Sequence, residues 1–139
     1  MTRFALLVRG INVGGKNKVA MADLRQQLTV LGLGQVETYI NSGNIFFTTD
    51  LSRTQLVEGL STFFGNHYPF IERFSLLSRE DYEAECANLP EWWTEEMARK
   101  DVLFYTEGLG RESVEEKLLA LDLGEEVLHF GKLAVFWGK

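Results

Sequence analysis

Arg9-Gly10-Ile11-Asn12-Val13-Gly14-Gly15-Lys16-Asn17-Lys18-Val19 is the stretch whose reading decides the fold. It follows a short apolar run, Phe4 to Val8, and precedes an amphipathic helical pattern. Glycine admits positive φ and lets backbone N–H groups come close to a ligand or to another segment. The cations make anions the natural guests. Two readings compete. Gly10, four residues, Gly15 and Lys16 match the first part of the phosphate-binding pattern G-x-x-x-x-G-K-[ST], placed between strand and helix as that motif requires. That reading demands a parallel sheet built from crossovers. In the other, the stretch is a turn within an antiparallel sheet, either a backbone nest for an anion or a packing element with its charges in water.

The flanking sequence rules against the first. Asn17 stands where the motif needs a hydroxyl to ligate magnesium, and the helical pattern starts only near Ala20 or Met21. No later apolar strand ends in an exposed Asp to make the second metal contact. Instead, Val36 to Ile40 and Ile45 to Thr49 read as strands joined by Asn41-Ser42-Gly43-Asn44, a hairpin turn by composition.

The rest of the first half follows from periodicity. Met21, Leu24, Leu28 and Leu31 form a helical stripe that Gly32 ends. Ser52 with Gln55 makes a capping box, Leu51 is placed to staple onto Leu56, and Leu56, Leu60, Phe63 and Phe64 give the second helix its core face. Phe4 to Val8 reads as a strand buried on both faces, and Phe70 to Leu77 as a further strand. The order strand, helix, strand, strand, helix, strand predicts an α+β fold with a ferredoxin-like split βαβ half.

Tyr82, Cys86 and Leu89 suggest the buried stripe of a connecting helix, and Pro90-Glu91-Trp92-Trp93-Thr94 a linker whose tryptophans close a seam between halves or grip a ligand. The element order then restarts. Asp101 to Thr106 reads as a strand and Arg111 to Leu121 as a helix with Val114, Leu118 and Leu121 on one face. Val127 to Phe130 and Leu133 to Trp137 form a hairpin around Gly131-Lys132, suited to a type II′ turn. The expected organisation is a ferredoxin-like half over 1–78, a connecting helix and Trp-containing linker over 79–100, and an incomplete second ferredoxin-like half over 101–139. Without a closing helix and strand, that second half is expected to expose sheet surface and to favour a homo-oligomer through the C-terminal hairpin.

The 139 residues are 45% hydrophobic and 12% aromatic, enough for a packed core and unlike a disordered chain. A single cysteine, Cys86, excludes an internal disulfide and fits a reducing compartment. No eighteen-residue apolar run or signal pattern occurs, so a cytoplasmic location with no membrane span is the expectation. Net charge is −6, but residues 1–25 hold Arg3, Arg9, Lys16, Lys18 and Arg25 against Asp23 alone, a local +4 with −10 elsewhere. Such asymmetry suits a small anionic ligand better than a wrapped nucleic acid.

The segment from Leu7 to Met21 resembles the opening signature of the bacterial DUF1697 family, a domain of unknown function. Thr38-Tyr39-Ile40-Asn41-Ser42-Gly43-Asn44-Ile45-Phe46 resembles its second signature, and Leu89-Pro90-Glu91-Trp92-Trp93 is similar too. The resemblance implies two ferredoxin-like halves. It brings no established activity, substrate or catalytic residue. Family members usually carry proline where this chain has Ala20, and continue past the last hairpin into a T-T-R-N-W-N-T-like motif that is not seen here.

No catalytic constellation is recognisable, and no cofactor is indicated. Cys86 on its apolar stripe reads as a core thiol, and neither His67 nor His129 has metal-ligand spacing to another donor. Ile45-Phe46-Phe47 offers aromatics for base stacking, but the basic-Gly-aromatic pattern of that RNA-binding module is absent. The candidate ligand-binding residues are therefore Arg9, Gly10, Asn12, Gly14, Gly15, Lys16 and Lys18, joined by Asn41, Ser42 and Asn44 from the turn. In a split βαβ fold the first and third strands are antiparallel neighbours, which brings loop and turn to one end of the sheet. The alternative is a protein-interaction or assembly module with no ligand chemistry, using Trp92-Trp93 or the last hairpin.

Overall fold

The computed structural model describes the chain from Met1 to Lys139 apart from Val13, Ile40, Asn41, Ser42, Gly108, Leu109 and Leu123. The chain divides into two units, Met1–Arg79 and Glu80–Lys139.

In the first unit, β1 (Thr2–Leu7), α1 (Met21–Val30), β2 (Gly34–Tyr39), β3 (Asn44–Thr49), α2 (Arg53–His67) and β4 (Ser75–Ser78) follow one another as the hydrophobic pattern requires. The sheet order is β2-β3-β1-β4, with every pair antiparallel. β1 thus lies between β3 and β4, the position that a split βαβ element order gives it. Phe4 and Leu6 with Ile45 and Phe47 point to one face, and there they meet Leu24 and Leu28 of α1 and Leu56, Leu60, Phe63 and Phe64 of α2. Both helices therefore cover the same side of the sheet. The Phe4 and Phe47 rings stack across the β1–β3 pair at 5.9 Å. Burial of each such large side chain contributes roughly 1.5–3 kcal/mol, which makes this layer the main source of the unit's stability.

Several elements differ from the sequence expectation for identifiable reasons. β1 is not buried on both faces: Phe4, Leu6 and Val8 are buried while Ala5 and Leu7 are only partly so, because the helices cover one side. Leu31 is the C-cap of α1 and stands 41% exposed, with Gly32 at φ +107 turning the chain away. The strand expected over 70–77 shrinks to Ser75–Ser78, which pairs with β1 over four positions. Ile71 and Phe74 are still buried, but as part of a turn in which Ile71 N–H donates to Tyr68 O. Ser52 and Gln55 form both halves of the capping box, while Leu51 remains 41% exposed. The strand end expected at Ile40 falls outside the described residues.

The outer edge of this sheet is irregular. The β2–β3 register shifts between Gly34 and Glu37, and Gln35 takes φ +46. Arg3 reaches across to it, donating to Gln35 O at 2.9 Å and to the Glu37 carboxylate at 3.3 Å.

The second unit contains α3 (Arg79–Ala87, whose first residue belongs to the first unit), a short 3₁₀ turn at Glu91–Thr94, β5 (Lys100–Phe104), α4 (Arg111–Leu119), β6 (Val127–Phe130) and β7 (Ala134–Gly138). Its sheet order is β5-β7-β6, again antiparallel. The run β5-α4-β6-β7 thus repeats β1-α1-β2-β3 in pairing as well as in element order, since β6-β7-β5 corresponds to β2-β3-β1. Val114 and Leu118 of α4 are half-buried and Leu121 is exposed. Trp93 packs edge-on against Phe136 at 5.2 Å, and Trp92 lies against Gly138, so the tryptophans cover β7.

Two expectations for this unit are corrected. Tyr82, Cys86 and Leu89 do not form a buried stripe: Tyr82 and Leu89 are 48% and 38% exposed and Cys86 is exposed. The buried residue of α3 is Glu85, whose Oε2 accepts from Leu133 N–H at 2.7 Å. A carboxylate anchored on that backbone donor takes the inward position, and the apolar side chains face outward. Tyr82 and Cys86 instead hydrogen-bond to each other, which raises the phenol's pKa. The β6–β7 connection is not type II′, because Gly131 lacks the positive φ that turn demands. Phe130 pairs with Val135, and Gly131 N–H donates to Ala134 O. A Cβ at 131 would lie 1.6 Å from Glu85 Oε1, so a larger residue there would have to displace that side chain.

The glycines therefore separate into two behaviours under substitution. Gly59 and Gly65 lie within α2 with nothing near an added Cβ, so Gly59→Ala and Gly65→Ala are each expected to raise stability by about 0.5–1 kcal/mol. Gly131→Ala is expected to lower it by more than that through displacement of the buried Glu85. Urea denaturation of the three variants measures both signs.

Candidate functional site

The site is built where β1 ends. Leu7 pairs with Asn44, and the next residue continues the contact, Val8 N–H donating to Gly43 O at 3.0 Å. Gly43 has φ +77, and a Cβ on it would come within 2.2 Å of Val8 O. Only glycine allows the hairpin turn to sit this close to the exit of β1. The loop after β1 and the turn before β3 therefore share one end of the sheet, at least through their described residues. Asn41 and Ser42, the other turn positions of interest, lie outside those residues.

The loop closes on itself through asparagine side chains. Asn12 Nδ2 donates to Val19 O at 3.0 Å while its Oδ1 accepts from Val19 N–H at 2.7 Å. One primary amide thereby meets both backbone groups of Val19, as a neighbouring strand would. Asn12 N–H donates to Asn17 O at 3.0 Å, and Asn17 Nδ2 donates to Gly10 O at 3.0 Å. Asn12 and Asn17 adopt φ +54 and +51, the left-handed region that asparagine tolerates better than most residues. Gly10, Gly14 and Gly15 are at φ +76, +60 and +74. Ile11 and Val19 are buried at 4% and 3%, anchoring both arms of the loop in the core.

Asn12 is therefore largely consumed in holding the loop's shape, and Asn44 sits in the β3 ladder opposite Leu7. Arg9, Lys16 and Lys18 are exposed, and their side chains form no hydrogen bond or ion pair with any of the described residues. The Asn17–Gly10 bond ties together the two backbone segments that carry these cations, Arg9 adjoining Gly10 and the lysines flanking Asn17. Asn17 and Gly43 are the residues that sequence reasoning left out of the site. The signal for Asn17 was its type, an αL-tolerant amide within a glycine-rich loop. Gly43 carried only the bland signature of a turn.

Among the described residues no cluster of three or more His, Cys, Asp or Glu could hold a metal ion. His67 and His129 pack at a tilt against Phe63 and Phe136, with ring centroids 4.8 and 5.9 Å apart. No helix among the described residues is long and apolar enough to cross a membrane.

The loop's construction gives a ranked outcome for substitution. Gly14→Ala and Gly15→Ala meet open space, so each is expected to cost only its left-handed strain, about 1 kcal/mol. Gly43→Ala adds a collision with backbone and is expected to cost clearly more. Asn12→Ala leaves both backbone groups of the buried Val19 unmet and is expected to cost roughly 2 kcal/mol or more. Thermal melts of the four variants would overturn this account if Asn12→Ala matched the wild type.

The chain matches the family described as "Protein of unknown function (DUF1697)" over residues 1–136. Among solved structures it is similar to that of the conserved bacterial protein SP0830 from Streptococcus pneumoniae. The two are 67% identical with a TM-score of 0.94, over 99% of this chain and 77% of that one. Comparison with curated proteins gives no match. By the extent of the match, this chain belongs to the DUF1697 family.

Proposed function

We propose that the Arg9–Val19 loop binds a small anionic ligand. One observation carries the reading: Arg9, Lys16 and Lys18 are exposed and without partners among the described residues, on a loop whose backbone is fixed by its own asparagines. A flexible basic loop would lose conformational entropy on capturing an anion, whereas a pre-shaped one loses little. The basic first 25 residues, +4 in an otherwise acidic chain, add attraction confined to this end of the sequence. Arg9 suits bidentate recognition of a phosphate or carboxylate, while the two lysines act as point charges. The absence of a magnesium-ligating hydroxyl at Asn17 favours a metal-free anion over a nucleoside triphosphate with its cation.

Titration calorimetry against inorganic phosphate, sugar phosphates and nucleoside monophosphates is expected to find a binder whose affinity falls with added salt. Lys16→Ala and Arg9→Ala should each weaken it about tenfold, with unchanged melting temperature because both side chains are solvent-exposed. Heat-silent titrations with every anion, or binding indifferent to both substitutions, would remove the reading.

A further inference from the structure

A pocket unrelated to the glycine-rich loop lies in the Glu80–Lys139 unit, between α3 and the β6–β7 hairpin. It has a volume of about 170 Å³ and is lined by Asp81, Glu85, Asn88, His129, Gly131 and Lys132 among others. Glu85 is its unusual member. Only 8% of this residue is exposed, and its Oε2 is engaged by Leu133 N–H at 2.7 Å. Its Oε1 lies against Gly131 and accepts no hydrogen bond from any described residue. Nor does a cation neutralise it, because Lys132 Nζ is bound to Asp81 Oδ1 at 2.9 Å. Oε1 is therefore left to whatever occupies the pocket, and a carboxylate this enclosed favours a cation there.

We infer that this pocket takes a small primary amine in its ammonium form, with Glu85 as the charged acceptor. The other lining groups fit that chemistry. Asn88 Nδ2 donates to Ala84 O at 2.8 Å, which leaves its amide oxygen as a second acceptor. Asp81, bound to Lys132, stands on the rim. Oxygen acceptors answer the N–H donors of an ammonium. A guanidinium is matched less well, because its planar fork calls for two open carboxylate oxygens and Oε2 is already engaged. A metal ion is disfavoured, as no group of three suitable ligands converges among the described residues. The volume admits only a few heavy atoms, a water's share of liquid being about 30 Å³.

The test is an amide chemical-shift titration of the full chain, following Gly131 and Leu133. Methylammonium chloride is expected to give saturable shifts at both, and tetramethylammonium chloride, of equal charge but without N–H donors, none. Glu85→Gln keeps an oxygen for Leu133 N–H and removes the charge, so it should weaken methylammonium binding about tenfold or more. Asn88→Ala, at an exposed position, should weaken it severalfold and decides the matter if the glutamine variant does not fold. Equal responses to both cations, no saturable shift, or undiminished binding in the folded variants would overturn the inference and leave the pocket as a hydrated notch. Because Arg9 and Lys16 take no part, the outcome is independent of anion binding at the glycine-rich loop.

Discussion

The pairing of β1 with β3 is the constraint on which the first unit depends. Six consecutive residue pairs, from Thr2 with Thr49 to Leu7 with Asn44, hold two strands that are far apart in sequence. That pairing sets Phe4 on Phe47 and forms the floor on which α1 and α2 pack. It also fixes the positions of the connections. Because the strands run in opposite directions, the exit of one is the entrance of the other, and the hydrogen bond from Val8 to Gly43 extends the ladder into the loops. The candidate site is thus a by-product of sheet register. A slip of one residue would turn Phe4, Leu6 and Val8 away from the helices and part the loop from the turn together.

Within the loop, side chains do work that the backbone does elsewhere. A strand partner would satisfy Val19 with a peptide group; here the Asn12 amide supplies the same donor and acceptor from a single residue. The glycines need not pack on anything, and a Cβ at Gly10, Gly14 or Gly15 would meet nothing. Their contribution is conformational. The cations are left out of this internal bonding, so the loop's shape does not depend on its charges. Charge can therefore be altered at Arg9, Lys16 or Lys18 without dismantling the scaffold that displays it.

The parts of the fold that read directly from sequence are those governed by local rules. Ser52 and Gln55 cap α2 three residues apart, and Leu24, Leu28, Leu56 and Leu60 follow helical period into the core. The hairpin that excluded a parallel sheet is local as well. Where the sequence misled, a distant partner was deciding. Hydropathy places Tyr82, Cys86 and Leu89 inside because it scores Glu85 as a surface residue. It has no means of seeing that Leu133, 48 residues away, offers a backbone donor to that carboxylate. Gly131 misled in the same manner, since its composition suggests a turn type while its actual requirement is clearance for Glu85. The cations of the site could be listed from the sequence. The bond that ties their two segments together could not, because it depends on the Asn17 side chain reaching back to Gly10.

The kink at the outer strand of the first sheet bears on how this protein behaves in crowded solution. An open strand edge presents a row of donors and acceptors that a passing chain can zip onto. At β2 that row is broken: the register shift between Gly34 and Glu37 and the left-handed Gln35 turn the backbone out of line. Arg3 also engages Gln35 O and the Glu37 carboxylate, fastening the distortion from β1. A visiting strand would find only a short straight length before its hydrogen bonds fell out of phase. The irregularity thus acts as a safeguard against fibril-like stacking, and it was placed by three residues that have no part in the core.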